Sequence, residues 1–312
     1  MSTLICGSFA YDTIMVFPDS FKNHIIPEQV HILNVCFMVP DMRREFGGCA
    51  GNIAYNLHLL GGDALPMGTV GKDFTPYRDW LNRIGISDKH VTELENTYTA
   101  QAFITTDMDD NQIIAFHPGA MSDAHQNSVR QASNLKLGIV APDGRDAMIQ
   151  HARDFADCGV PFVFDPGQGL PMFNGDELEQ FVNQAEWVIV NDYESKMLQE
   201  KTGKTVEELS RNVGALIVTL GAKGAQVFTQ SGEQIDIPPV ATEHALDPTG
   251  CGDAFRGGLL YGLGQGLDWK TTGRIASLLG SIKIETHGTQ NHSFTQEEFR
   301  ERFTREFGYS YQ

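Results

Sequence analysis

Short apolar runs alternate with helix-length amphipathic stretches along this chain. Residues 3–6, 135–140, 162–164, 187–190 and 215–219 are apolar runs of strand length, with helical spacing of apolar positions between them. Such runs predict strands buried on both faces, and their alternation with helices predicts an α/β fold with a mostly parallel sheet flanked by helices. Several runs end in polar or glycine-rich punctuation: Asp165-Pro166-Gly167, Asn191-Asp192 and Leu220-Gly221. In open sheets of this class, ligands bind outside the carboxyl ends of the strands. A second pattern interrupts the first, because β-rich runs at 101–106 and 112–116 flank the turn-forming Asp109-Asp110-Asn111 and predict a β-hairpin. Together with the irregular, β-prone stretch from Asp12 to about Phe37, the hairpin predicts a small β-sheet lid that would exclude water from a reactive centre. No repeat or long linker divides the chain, so we expect a single domain over 1–312, its lid contributed by about 12–40 and 96–120.

Charge narrows the partners. With 40 acidic against 23 basic residues, the formal net charge is -17, which argues against nucleic acid and anionic membranes, since binding to both draws on Lys and Arg. A nucleotide is not excluded, because backbone N–H groups at a helix start hold phosphate whatever the global charge. The five cysteines are odd in number, widely spaced and lack C-x-x-C, so no disulfide framework or zinc site is expected. The chain starts without the basic segment and apolar stretch of a signal peptide, and no apolar run approaches a membrane span. The expectation is a cytoplasmic protein.

The densest chemistry lies at Asp247-Pro248-Thr249-Gly250-Cys251-Gly252-Asp253, just before a helical pattern through Phe255, Leu259 and Leu263. Glycines at a helix start leave N–H groups without intrahelical partners, and with the helix dipole they form an anion hole suited to a transferring phosphoryl group. Asp253 falls in the first turn, where the dipole favours a carboxylate, and could orient a hydroxyl and take its proton late in the reaction. Taken alone, the segment could equally be a tight strand–helix connection with an acidic first turn.

The longer string, Asp247 through Gly258, resembles the C-terminal signature of the ribokinase/adenosine kinase family, the PfkB-type carbohydrate kinases. Glu45-Phe46-Gly47-Gly48-Cys49-Ala50-Gly51-Asn52 resembles the family's N-terminal signature. The resemblance implies a ribokinase-like fold and transfer of the ATP γ-phosphoryl group. It implies Asp253 as base, the amides of Gly250, Cys251 and Gly252 as anion hole, and Asp12, Gly47, Gly48 and Asn52 as substrate contacts. Asn191, Thr219, Gly221 and Gly224 would bind ATP, and Glu194 would hold Mg2+ through water. Asn191 and Glu194 also read as a helix capping box. Asp247 and Thr249 match positions that in some relatives hold a monovalent cation, which would be K+. Cys251 departs from the family's common Ala and suggests sensitivity to thiol reagents, and Arg256 departs from a commoner apolar residue without an evident role.

The resemblance is closest to the bacterial adenosine/nucleoside kinases, through the string R-R-E-F-G-G-C-A-G-N-I-A and the lid segment ending at Ala120. It implies phosphorylation of the 5′-hydroxyl of a purine nucleoside, adenosine or inosine-like, by a monomer or homodimer. The alternatives are a kinase for a free sugar such as ribose or fructose, and a non-catalytic nucleoside-binding protein. A dinucleotide oxidoreductase is disfavoured, because no G-x-G-x-x-G follows the first strand. Phe103 and Phe116 on the lid hairpin could cover a purine. The ten histidines show no metal-ligand spacing.

Overall fold

The computed structural model describes residues 2–25, 34–109, 111–242 and 244–311. Its strands are β1 (Ser2–Cys6), β2 (Ala10–Val16), β3 (Asp41–Gly47), β4 (Ala64–Gly71), β5 (His90–Leu94), β6 (Ala100–Thr106), β7 (Gln112–His117), β8 (Leu135–Val140), β9 (Phe162–Phe164), β10 (Trp187–Asn191), β11 (Ala215–Thr219), β12 (Ala225–Thr229) and β13 (Gln234–Ile237). The helices are α1 (Cys49–Leu59), α2 (Thr75–Ile84), α3 (Arg145–Asp157), α4 (Gly175–Gln184), α5 (Asp192–Thr202), α6 (Val206–Ser210), α7 (Cys251–Gln265), α8 (Trp269–Ile284) and α9 (Gln296–Phe307).

Nine strands form one sheet in the order β13-β12-β11-β10-β9-β8-β1-β4-β5, parallel except where β12 and β13 run antiparallel at one edge. Adjacent side chains of a strand point to opposite faces, and the apolar runs accordingly feed two cores. Ile5, Ile189 and Ile217 pack with residues of α1, α2, α7 and α8 on one face. Leu4, Val188, Val190, Leu216 and Val218 pack with α3, α4, α5 and α6 on the other. Burial on both faces is why these strands read as continuous apolar runs. Helix starts follow local chemistry: Asn174, Asn191, Thr205 and Thr295 each form a capping box with the Glu three residues on. No helix among the described residues is long and apolar enough to cross a membrane.

The small sheet has the order β3-β2-β6-β7. Strands β6 and β7 pair antiparallel, with Ala102 opposite Phe116 and Phe103 opposite Ala115. The lid boundary differs from the expected 12–40. The sheet starts at Ala10 and takes in Asp41–Gly47, while residues 26–33 and Asp110 lie outside the described residues. Strand β3 escaped the pattern because Asp41 to Arg44 are exposed and mostly charged. It is a strand because its backbone pairs with β2 over seven residues, from Asp41–Val16 to Gly47–Ala10.

Helix α7 lies unusually close to its neighbours. A Cβ at Gly258 would stand 2.6 Å from the Ala276 Cα in α8, and one at Gly257 would stand 2.6 Å from the Asn56 Cβ in α1. Close-packed backbone has no room for even one methyl group there. Gly258→Ala is therefore expected to lower unfolding free energy by about 1–3 kcal/mol through overpacking, read as a reduced urea midpoint with an unchanged slope.

Candidate active site

The carboxyl ends of five strands open on one cavity of about 800 Å³. Ser8 lies beyond β1, Asp143 beyond β8 and Asp165 beyond β9; Asn191 ends β10 and Thr219 ends β11, and all five line it. The sheet's direction of winding reverses at the β1–β8 pair, the place where open α/β sheets leave a crevice. Helices α1 and α7 close the floor with their N-termini, and one face of the lid sheet forms a wall. In-register partners share a face, so Ala10, Asp12 and Phe116 point the same way through Ala100 and Ala102 of β6, and all three line the cavity. Phe103, one residue out of phase, faces away from Phe116 and does not line it. Of the two aromatics expected to cover a purine, only Phe116 is placed to do so.

The cavity gathers Asp12, Gly48, Asn52, Asn191, Glu194, Thr219, Gly221, Gly250, Gly252 and Asp253. Gly47, Gly224, Cys251 and Asp247 stand behind its surface. Gly47 lies under Asp12, whose Oδ2 would be 2.6 Å from an added Cβ. Gly224 packs its α-carbon against the Ile237 carbonyl, closing the β11–β12 hairpin instead of facing a nucleotide. Gly48 caps α1 at φ 87 with the Ser8, Phe9 and Ala10 backbone against it, a conformation and a space that admit glycine alone.

A chain of donors fixes the centre. The Trp80 indole can only donate, and it gives its proton to Gln290 Oε1 at 2.9 Å. The Gln290 amide nitrogen must then face Asn52 Oδ1, at 3.0 Å, and Tyr77 Oη, at 2.5 Å. That leaves Asn52 Nδ2 to donate to Asp253 Oδ2 at 2.8 Å. This hydrogen bond links α1 to α7 and brings Asn52 to Asp253. Residues 52 and 253 are far apart in sequence, and nothing local in Trp80 or Gln290 signals this relay.

Asp253 occupies the third position of α7. Burial pushes its pKa up to about 6, against the opposing pull of Asn52 and Arg256, so it is a stronger base than an ordinary carboxylate near 3.9. Asp12 is likewise pushed up to about 6, by burial and then by the nearby Glu45 and Asp247 carboxylates. Of the three amides expected to hold an anion, that of Cys251 already donates to the Pro248 carbonyl, at 3.2 Å. Burial pushes the pKa of the Cys251 thiol up to about 11, which lowers its thiolate fraction at neutral pH.

Arg256, without a role on sequence grounds, is the one basic side chain lining the cavity among the described residues, against Asp12, Asp143, Asp165, Asp192, Glu194 and Asp253. It lies one turn after Asp253 and is buried. Its guanidinium grips Asp165 with both Nε and Nη2, the latter at 2.7 Å, and donates to the Gly252 carbonyl at 3.1 Å. This bidentate pair ties the end of β9 to the first turn of α7. Asp143 was also missed. Its Oδ1 accepts from the Gly144 N–H at 2.9 Å, its Oδ2 has no partner among the described residues, and burial pushes its pKa up to about 8. At neutral pH it is largely a protonated acid at the cavity wall.

Glu194 has its pKa raised, by burial and then by Asp165. Its Oε2 accepts from the Asn191 N–H at 2.8 Å while the Asn191 side chain accepts from the Glu194 N–H at the same distance, so the capping box and the cavity-lining position coexist. Asp247 Oδ1 and Oδ2 accept from the N–H groups of Thr249 and Gly288, each at 2.9 Å. No group of three or more His, Cys, Asp or Glu side chains is arranged to hold a metal among the described residues. A divalent ion here would need oxygens from a bound phosphate and from water, as Mg2+ commonly does. The acidic lining fits that requirement, since a polyphosphate could settle among these carboxylates only with a cation between them.

A glycine-rich helix start, a buried carboxylate in its first turn and a cavity of about 800 Å³ at the strand ends suit a phosphotransferase acting on an alcohol. A pfkB family carbohydrate kinase profile matches residues 17–296, and the chain belongs to that family. It is 30% identical over 284 residues to a nucleoside kinase of Methanothermobacter thermautotrophicus, covering 88% of this chain and 90% of that one. Among solved structures, Burkholderia thailandensis nucleoside kinase in complex with inosine is similar at 52% identity and a TM-score of 0.90, over 99% of both chains. The same enzyme in complex with ADP-inosine matches at 54% identity and a TM-score of 0.87, over 99% of this chain and 97% of that one.

Two outcomes follow from the site's charges. Arg256→Met strands the buried Asp165 carboxylate and is expected to cost about 3–5 kcal/mol in urea unfolding, most of it regained in Arg256→Met/Asp165→Leu. Asp143 holds its proton more tightly folded than unfolded, so its contribution to stability is present below the unfolded pKa of 3.8 and is lost as pH rises to about 8. Asp143→Asn should therefore flatten the fall in unfolding free energy between those limits.

Proposed function

We propose that this chain phosphorylates the 5′-hydroxyl of a purine nucleoside, inosine or adenosine, with ATP as donor. The observation that carries the reading is the Asn52–Asp253 hydrogen bond, which unites the N-terminal and C-terminal signatures at one carboxylate on the cavity floor. The near full-length likeness to a nucleoside kinase in complex with inosine supports the choice of nucleoside over free sugar.

Asp12, on the lid face, and Gly48 bind the ribose, the Asp12 carboxylate accepting from neighbouring hydroxyls. Asp253 orients the 5′-hydroxyl and accepts its proton as O5′ bonds to the γ-phosphorus and the bond to the β,γ-bridging oxygen breaks, releasing ADP. The N–H groups at Gly250 and Gly252 receive the charge on the equatorial oxygens. Asn191, Thr219 and Gly221 line the nucleotide end. Glu194, with the ATP phosphates and water, would hold magnesium, which would supply the positive charge that lets a polyphosphate settle in this acidic cavity. Phe116 and Met121 flank the open side beyond the ribose, where a purine would lie. The acceptor is small and soluble, and we assign the protein to the cytoplasm.

An ADP-release screen over purine nucleosides, pyrimidine nucleosides, ribose and fructose tests the assignment; turnover with a free sugar and none with inosine or adenosine would refute it. Asp253→Asn is expected to reduce kcat by about 100- to 10,000-fold with the fold retained. In wild type, kcat/KM should fall as pH drops below about 6, where Asp253 and Asp12 both take up protons. Because both carboxylates must be ionised, the fall should steepen towards two protons, and towards one in Asp12→Asn.

A further inference from the structure

Lys283, in the last turn of α8, is fully buried, and its ammonium sits directly behind the anion hole. Nζ donates to the Asp247 carbonyl at 2.7 Å and to the Thr286 carbonyl at 3.2 Å, and lies 3.9 Å from the Asp247 carboxylate. Around it, the N–H groups of Leu246 and Asp247 both donate to the Ile284 carbonyl, at 2.9 and 3.1 Å. The segment leading into Gly250, the carbonyl end of α8 and the loop to Gly288 therefore converge on this one positive charge. A helix C-terminus and a carboxylate together call for a cation.

The resemblance places a monovalent cation at Asp247 and Thr249. Potassium does not fit there. The Asp247 carbonyl is occupied by the Lys283 ammonium, the Asp247 carboxylate oxygens accept the Thr249 and Gly288 N–H groups, and a second cation among these atoms would face a like charge in a buried setting. Burial pulls the Lys283 pKa down while Asp247 opposes the shift, and burial and then Lys283 lower the pKa of buried His292 to about 4.

We infer that the Lys283 ammonium takes the place of the monovalent cation, so that this kinase carries as a side chain the charge that would otherwise be bound from solution. Lys283 is a positioning residue: it touches no substrate and holds the carbonyl before Pro248, and through it the start of α7. This inference rests on the kinase reading of the cavity.

The test measures ADP release from inosine, or from adenosine if inosine is not turned over, and Mg-ATP by the full chain in potassium, sodium and tetramethylammonium salts of equal ionic strength. Wild type is expected to turn over equally in all three, within about twofold. Lys283→Ala opens a cation-sized space, and its turnover should drop by at least about tenfold in tetramethylammonium and recover in potassium or ammonium. Its melting temperature should rise with potassium where that of wild type does not. Lys283→Met, which fills the space without charge, should lose turnover in every salt and recover in none. Potassium dependence of wild type overturns this inference alone, as does a folded Lys283→Ala that ignores the ion in both turnover and melting. If Lys283→Ala does not fold, the wild-type comparison and Lys283→Met still decide. No ADP release by wild type in any salt overturns the kinase reading and this one with it.

Discussion

Helix α7 lies closer to α1 and α8 than side chains ordinarily permit, because Gly257 faces Asn56 and Leu57 while Gly258 faces Ala276. The position of the Asp253 carboxylate depends on this approach. Asp253 sits one turn before Gly257, so any swelling of the contact would carry it away from Asn52, whose amide reaches it at 2.8 Å. Close packing of backbone on backbone gives a rigid seat that longer side chains could not supply, since their rotamers would add play. The dipoles of α1 and α7 end at the same floor, and a transferring phosphoryl group would find its donors already in place.

The cavity is a place where negative charge is concentrated and only partly compensated. Arg256 neutralises Asp165, Asp143 is mostly protonated, and Asp12 and Asp253 are pushed up to about 6. What remains suits an enzyme that takes its nucleotide together with a divalent cation, because the cation reconciles polyphosphate with carboxylates. Behind the anion hole the same problem has a covalent solution, in which the Lys283 ammonium compensates Asp247 and the carbonyls at the end of α8. The first compensation must come and go with substrate; the second can be permanent.

The buried strands and their order of motifs were legible because burial on both faces leaves a simple apolar run, and because a capping box such as Asn191–Glu194 is local in sequence. Strand β3 was not, since Asp41 to Arg44 are charged and exposed and only pairing with β2 makes them a strand. The place of Gly250 and Gly252 at a helix start could be read from the sequence, whereas the hydrogen bond from the Cys251 N–H depends on how the Pro248 carbonyl turns back.

By itself, the sequence determined the layered α/β architecture, the polar punctuation at the carboxyl ends of its strands, and the place of Asp253 beside a glycine-rich helix start. Each of these follows from periodicity or from spacing within a few residues. The tertiary structure alone decided the long-range partners: Asn52 with Asp253, Asp165 with Arg256, Lys283 with Asp247, and Phe116 rather than Phe103 toward the cavity. These join residues far apart along the chain, through distances of about 3 Å that hydrogen bonds demand and that no local pattern encodes.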